Sequence, residues 1–508
     1  MIEPFRNEPL SDFSAHAGEQ RAALDAFRTV EAPLVIGGRR VTTKDKIVSA
    51  DPCAPARVVG RASKATPALA RKAMAAAVAA FPAWSRVPAA ERADVLFRAA
   101  AEIRRRRWEF NATLILEVGK TWVESDADTA EAIDFCEYYG REMLRLAEDQ
   151  PVVPTSGERN RLRYVPLGVG IIVSPWNFPC AILCGMAAAA VVAGNTVVVK
   201  PASVAPAIGW KVFEAFEKAG LPPGVMNFLP GPGGEVGDLL VDHPQTRFVS
   251  FTGSKEVGIR IYERAAKVQP AQRWLKRAVI EMGGKDAIVV DEDADLEAAA
   301  KGIVASAFGF QGQKCSACSR AIVVGKAYDP VLRRVRELTE ALRVSDAREP
   351  DTQMGAVVDE RQMKKVLDYV RVGRREGRLV TGGKRLDREG WFVAPTVIAD
   401  VKPSARIARE EIFGPVLAFL KAKDYDDAMR IANGTEYGLT GAYYGHARLE
   451  RAKADFRVGN LYLNRKCTGA LVGVHPFGGF DMSGTCSKAG GPDYLRLFME
   501  SQAISEKT

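Results

Sequence analysis

Cys315 stands in the stretch FGFQGQKCSACSR, a polar, glycine-containing loop that reads as the link between a helix and a strand. Such a place suits an accessible nucleophile, with Lys314 alongside to favour the thiolate. Taken alone, a cysteine of this kind is more often a half-buried structural thiol. Cys315 and Cys318 form a C-x-x-C, and Cys180 and Cys184 stand four apart, so four thiolates could in principle hold zinc. Against this, Cys180 and Cys184 lie in an apolar helical stretch where cysteine behaves as a small hydrophobe. His16, His243, His446 and His475 are scattered without ligand spacing, so no metal site is expected. The surroundings of Cys315 also lack the pattern of a papain-type hydrolase. Glu281 closes an apolar strand, where a carboxylate taken alone is a strand-end cap or an ion-pair partner. Gly231, Gly233 and Gly237 follow a strand, but the last spacing is one residue too long for the dinucleotide fingerprint. The outer glycines of GSKEVG, Gly253 and Gly258, match a phosphate loop whose Lys-Ser/Thr is absent. The helix N-terminus at Ser254 could still hold one phosphate through its free N–H groups.

These residues need a scaffold, and the hydrophobic pattern predicts one. Up to about Glu148 the periodic segments are mostly helical, with apolar residues three and four apart. The Pro-, Ser- and Gly-containing stretch from Asp149 to Asn160 breaks that pattern as a linker or an excursion. From Gly168 strands alternate with helices: GVGIIV, TVVVK, GVMNF and TRFVSFTG are continuous apolar or β-branched runs, as in a parallel sheet covered on both faces. A second α/β run, with DAIVV, SRAIVVG and VLAFLK, extends from about Asp286 to Val458. No internal repeat or long low-complexity tract interrupts it.

Composition narrows the partners. The chain has 508 residues, and its 71 basic and 62 acidic side chains leave a net +9. That mild excess is not the footprint of a nucleic-acid binder, and the densest basic run, Arg104 to Arg107, reads as the solvated face of a helix. The longest nearly apolar stretch, Ala181 to Ala193, is too short to span a bilayer. Eight cysteines give no dense disulfide framework, and the opening MIEPFRNEPLSDF lacks the apolar core of a signal peptide. A cytoplasmic protein with neither nucleic-acid nor membrane partners is expected.

PWNF (175–178), KPAS (200–203), FTGSKEVG (251–258), EMGGK (281–285), GQKC (312–315), EEIFGPV (410–416) and PFGGF (476–480) occur in that order. Together they resemble the aldehyde dehydrogenase superfamily over nearly the whole chain. The neighbourhoods GFQGQKCSACSR and FRVGNLYLNRKCTGALVGVHPFGGF, with the opening EPFRNEPL, are similar to the bacterial branch that oxidises L-glutamate γ-semialdehyde in proline catabolism. The resemblance implies Cys315 as the nucleophile that forms a thiohemiacetal and then a thioester, with oxyanion donors in the Asn177 side chain and the Cys315 N–H. It implies Glu281, 34 residues before the cysteine, as the base for water. For the cofactor, NAD, it implies Lys200 at the adenosine ribose, Gly253 and Ser254 at the pyrophosphate, Glu411 at the nicotinamide ribose and Phe413 beside the nicotinamide. Ser203 stands where many NAD-preferring members carry Glu, so NADP is expected as a second cofactor. For the substrate it implies Ser316 with the Gly469 and Ala470 backbone at the carboxylate, Glu131 at the ammonium, and Phe178 and Phe477 along the aliphatic chain.

The implied architecture is α/β and aldehyde dehydrogenase-like. A Rossmann-like cofactor domain takes 1–148 and 163–281 with a return segment at about 459–486. An α/β catalytic domain takes 282–458, and a small β oligomerisation flap takes 149–162 and 487–508. A stand-alone enzyme assembled as a homo-oligomer, a dimer or a higher assembly of dimers, is implied. The rivals are an aldehyde dehydrogenase for another ω-semialdehyde, such as succinic semialdehyde, and a non-catalytic thiol or zinc-binding protein.

Overall fold

The computed structural model describes residues 3–508. Two seven-stranded sheets organise the chain. The first runs in the order Arg277–Glu281, Thr246–Thr252, Val169–Val173, Thr196–Lys200, Met226–Phe228, Leu34–Ile36 and Arg39–Val41. Its first five strands are parallel and its last two antiparallel. Every residue of Thr196–Lys200 is buried: Val197 and Val199 enter one apolar core, and Val198 enters the core on the opposite face. That is why the strand reads as an unbroken apolar run rather than an alternation. Each such valine contributes roughly 1.5–3 kcal/mol on leaving water.

The second sheet runs Arg378–Thr381, Thr396–Ala399, Val416–Ala422, Arg320–Val324, Ala287–Val290, Thr440–Tyr444 and Asn460–Leu463. Only its Arg378–Thr381 edge is antiparallel. Its strands again feed two cores, Ala287 and Val289 on one face and Ile288 and Val290 on the other. The helix Ala181–Val192, apolar all round, is buried on nearly every side, as such a helix must be. Across the first sheet's helices, Glu117 accepts from the Ala207 and Ile208 N–H groups at 2.8 and 2.9 Å, and from Ser49 Oγ at 2.5 Å. The carboxyl, pushed up to about 7 by burial, thus caps the helix Pro206–Lys218 from a distant segment and fixes the turn that follows Lys200.

Several sequence expectations need correction. The strand Asn460–Leu463 pairs with Thr440–Tyr444, so the return segment begins inside the second sheet rather than in the cofactor domain at 459. Its Leu461, Tyr462 and Leu463 complete cores on both faces of that sheet. The excursion forms a two-stranded ribbon of Glu158–Pro166 against Met499–Lys507, which extends past 162. Residues 487–498 lie outside that ribbon: Tyr494 and Phe498 are buried in the first sheet's core. Strands within 30–63, including Lys46–Asp51 and Ala54–Ser63, interrupt the helical N-terminal region. The basic run also divides, because a helix ends at Arg105 and another begins at Arg107. Arg106 and Arg107 turn inward, Arg106 to Glu109 and Glu214, Arg107 to Asp126 and Glu8; only Arg104 and Arg105 face solvent.

Candidate active site

Four neighbouring parallel strands of the first sheet end together. Glu281 is the last residue of its strand and pairs with Thr252, Val173 pairs with both Phe251 and Lys200, and Gly253, Ser254 and Asn177 lie just beyond these ends. The crevice outside the carboxyl ends of parallel strands is where open α/β sheets bind ligands. The second sheet meets it with amino ends: Cys315 precedes Arg320–Val324, Gly283 to Asp286 precede Ala287–Val290, and Glu411 to Gly414 precede Val416–Ala422.

The cysteine loop is held under strain. Phe310, Gln311 and Gly312 take φ values of +49°, +58° and +67°, a left-handed run that costs roughly 1–3 kcal/mol for each non-glycine residue. Gln311 pins it by donating to the Gly119 and Ala356 carbonyls at 3.0 and 2.6 Å. Glu124, the capping-box acid of the helix Trp122–Ala147, accepts from the Phe310 N–H. Val358 N–H donates to Gln313 Oε1 at 2.9 Å, and Asn177 Nδ2 donates to the Gln313 carbonyl at 3.2 Å. Buried Asn177 is thereby locked two residues from the thiol. Glycine at 284 is required by crowding, because a Cβ there would strike the Cys315 carbonyl, and a Cβ on Gly283 would displace the Glu411 carboxylate.

Cys315 is half-buried while Cys318 is buried, its sulfur 3.4 Å from the Arg320 carbonyl. Burial, with Asp286, Glu411 and Glu281 nearby, pushes the Cys315 thiol well above its ordinary range. Lys314 does not offset this, contrary to expectation. Its ammonium lies toward Glu124, both within 3.5 Å of the Cβ position on Gly309. Glu281 accepts from Ser487 Oγ at 2.6 Å, Ser487 N–H at 3.1 Å and Gly479 N–H at 3.4 Å, and burial pushes it up to about 7.

On the cofactor side, Lys200 is buried with one long contact, 3.4 Å to the Pro201 carbonyl, and burial lowers its ammonium to about 8. Gly233 and Gly234 face open space, and Ser254 caps the helix Lys255–Ala266. A cation that, among the described residues, has no carboxylate partner, and a helix N-terminus at the strand ends, fit a dinucleotide diphosphate. Ser203 is exposed in the turn after Lys200. Glu411 accepts from Gly284 N–H at 3.0 Å, and Phe413 meets Trp176 edge-on at 5.3 Å.

On the other side Phe178 meets Phe310 edge-on at 6.2 Å, and the buried Lys120 ammonium sits 3.7 Å from the Phe178 ring centre and 3.4 Å from Asp128. Glu131, on Trp122–Ala147, is pushed up to about 8 by burial and by Asp128. Ser316 is buried, Phe477 half-buried, Ala470 partly exposed and Gly469 exposed. Cys180 and Cys184 face the core, Cys184 Sγ 3.5 Å from Cys136 Sγ. Among the described residues no group of three or more His, Cys, Asp or Glu is placed to hold a metal. Sequence reading missed Glu124, Gln311 and Ser487; of these only the T-x-x-E pattern at Thr121 to Glu124 was a visible signal.

This pairing of sheets around a cysteine loop defines the class. The chain matches the Aldehyde dehydrogenase family over residues 40–504, and it belongs to that family. Within it, the chain is 60% identical over 514 aligned residues, and over the full length of both chains, to 1-pyrroline-5-carboxylate dehydrogenase of Geobacillus kaustophilus. The crystal structure of 1-pyrroline-5-carboxylate dehydrogenase from Thermus with bound NAD superposes with a TM-score of 0.98 at 54% identity, covering all of both chains. Proline utilization A from Bdellovibrio bacteriovorus superposes with a TM-score of 0.98 at 44% identity, covering 99% of this chain and 53% of its own.

Proposed function

We propose that the chain oxidises L-glutamate γ-semialdehyde, the open form of 1-pyrroline-5-carboxylate, to L-glutamate with NAD. The observation that carries this is the full-length likeness to relatives of that activity, joined to a site with a thiol, a locked amide donor and a buried carboxylate. NAD, when bound, supplies the hydride acceptor. Cys315 sulfur attacks the aldehyde carbon as its thiol proton passes to water, which the half-buried sulfur can reach. The new oxyanion takes hydrogen bonds from Asn177 Nδ2 and the Cys315 N–H. Loss of hydride from that carbon leaves a thioester on Cys315. Glu281, released from Ser487, takes a proton from water, which attacks the thioester and frees the acid and the thiol. Lys200, Gly253, Ser254, Glu411 and Phe413 would hold the dinucleotide. Ser316 and the Gly469 and Ala470 amides would hold the substrate carboxylate, Glu131 its ammonium, and Phe178 and Phe477 its methylenes. An assay of NAD reduction across glutamate γ-semialdehyde, succinic semialdehyde and plain aldehydes tests this; preference for succinic semialdehyde overturns the substrate.

Removing the amide donor should slow the chemical step. Asn177→Ala should lower kcat about 100-fold, the scale of one oxyanion donor, with NAD affinity kept. A variant with wild-type kcat assigns the oxyanion elsewhere.

We also propose that NADP serves as a second cofactor. A carboxylate at position 203 would repel a 2′-phosphate, whereas the exposed Ser203, three residues after Lys200, carries no charge. Ser203→Glu should cut kcat/KM for NADP several-fold more than for NAD; an unchanged ratio overturns this. The exposed ribbon of Glu158–Pro166 and Met499–Lys507 has too few strands to be stable unaided, which supports a homo-oligomer built through it. Among the described residues no helix is long and apolar enough to cross a membrane. A mechanism that needs a reduced Cys315 suits a cytoplasmic site.

A further inference from the structure

Beyond the strand Asn460–Leu463 the chain forms the loop that carries Gly469 and Ala470 and closes at His475. Arg465 spans this loop from its base. One of its terminal nitrogens donates to the Thr468 and Gly469 carbonyls, both at 3.2 Å, and the other lies 3.1 Å from His475 Nε2. The guanidinium is braced over the buried Tyr462 ring, 4.5 Å from its centre. On the loop's far side Leu471 N–H donates to His475 Nδ1 at 3.2 Å, and the Leu471 carbonyl accepts from the Val474 and His475 N–H groups at 3.1 and 2.8 Å.

Peptide geometry turns this grip into a direction. A trans peptide sets its C=O opposite to the N–H that follows. Holding the Thr468 and Gly469 carbonyls toward Arg465 therefore turns the N–H groups of Gly469 and Ala470 away from it, side by side. Gly469 accommodates the turn at φ +80°, which glycine adopts without a Cβ clash. Among the described residues nothing accepts from either N–H. Two successive free amides of this kind form a concavity for an anion.

We propose that Arg465, with His475, is the positioning pair that aims the Gly469 and Ala470 amides at the substrate carboxylate. This rests on the assignment of those amides in the functional proposal above. Arg465 acts through the loop: one arm of its fork is committed to the two carbonyls, so it orders the donors. A neutral His475 ring has one acceptor nitrogen, and Nδ1 spends it on the Leu471 N–H, so His475 holds the loop's far side while Nε2 only packs against the guanidinium. Burial and the adjacent guanidinium favour that neutral ring.

Two aldehydes separate aiming from general folding. Glutarate semialdehyde keeps the chain length and carboxylate but lacks the amine, so it forms no cyclic imine; propionaldehyde lacks the carboxylate. Arg465→Ala should raise KM for glutarate semialdehyde about tenfold or more, the scale of lost charge-assisted hydrogen bonds, with kcat nearly unchanged. Competitive inhibition by glutarate should weaken in parallel, and kcat/KM for propionaldehyde should hold. Arg465→Lys keeps the charge without the fork and should recover only part of the loss. Equal losses with both aldehydes, full recovery in Arg465→Lys, or an unchanged KM in Arg465→Ala would each overturn the proposal. Wild-type enzyme that does not favour glutarate semialdehyde over propionaldehyde would overturn the functional assignment and this proposal with it.

Discussion

Replacing Cys315 with alanine should reduce aldehyde oxidation by about 10⁴-fold or more, the scale of losing a covalent nucleophile, while NAD binds nearly as before. The thiol lies at the amino end of the second sheet, whereas the proposed dinucleotide contacts lie mainly at the carboxyl ends of the first. Cys318→Ala should stay within a few-fold of wild type in turnover, because its sulfur is buried against the Arg320 carbonyl. That substitution should instead lower stability by about 1 kcal/mol through a small cavity. Steady-state kinetics and NAD titration of both variants check this. Equal loss in the two would point to a redox pair and against a single nucleophile. Since burial, with Asp286, Glu411 and Glu281 nearby, holds the Cys315 thiol neutral, alkylation of the wild-type enzyme without cofactor should be slow at pH 7 and accelerate with rising pH.

The parts of this protein legible in its sequence are those written in local pattern. Runs such as Thr196–Lys200 and Ala287–Val290 declare a sheet covered on both faces because every residue enters one core or the other. The cysteine stood out because it belongs to an ordered series of motifs, not because of its loop alone. What stayed hidden depends on contacts remote in sequence. Nothing near Arg106 or Arg107 announces that Glu214 and Asp126 will take them inside. Lys314 beside Cys315 in sequence turns toward Glu124 in space. The second sheet's last strand, Asn460–Leu463, carries no mark of which sheet it joins; only its pairing with Thr440–Tyr444 decides it. Ser487 is a serine in a loop until the fold brings it 2.6 Å from Glu281, 206 residues away.

That last contact shapes the second large effect. Glu281→Gln should leave hydride transfer intact as a burst of NADH close to one per active site, and then slow the steady state by about 10²–10⁴-fold, the usual contribution of a general base. The glutamine keeps the size and an acceptor for Ser487 but takes no proton from water. With burial pushing the Glu281 carboxyl up to about 7, the ionised base is lost as pH falls through that value. Wild-type deacylation should therefore drop about tenfold per pH unit below 7; propionaldehyde is the substrate for this measurement, because its concentration does not depend on ring opening. The Gln variant should lack that limb. Stability supplies the control, with the sign fixed by linkage. A carboxyl whose ordinary value of 4.5 is raised in the fold binds its proton more tightly there than in the unfolded chain. It contributes stability below pH 4.5 and gives it up as pH rises through about 7. At pH 8 the neutral Gln variant should accordingly melt at or above wild type, so slow turnover cannot be charged to unfolding. A variant that is folded by this measure yet shows no burst would move Glu281 from thioester hydrolysis to activation of the Cys315 thiol, the step before hydride leaves.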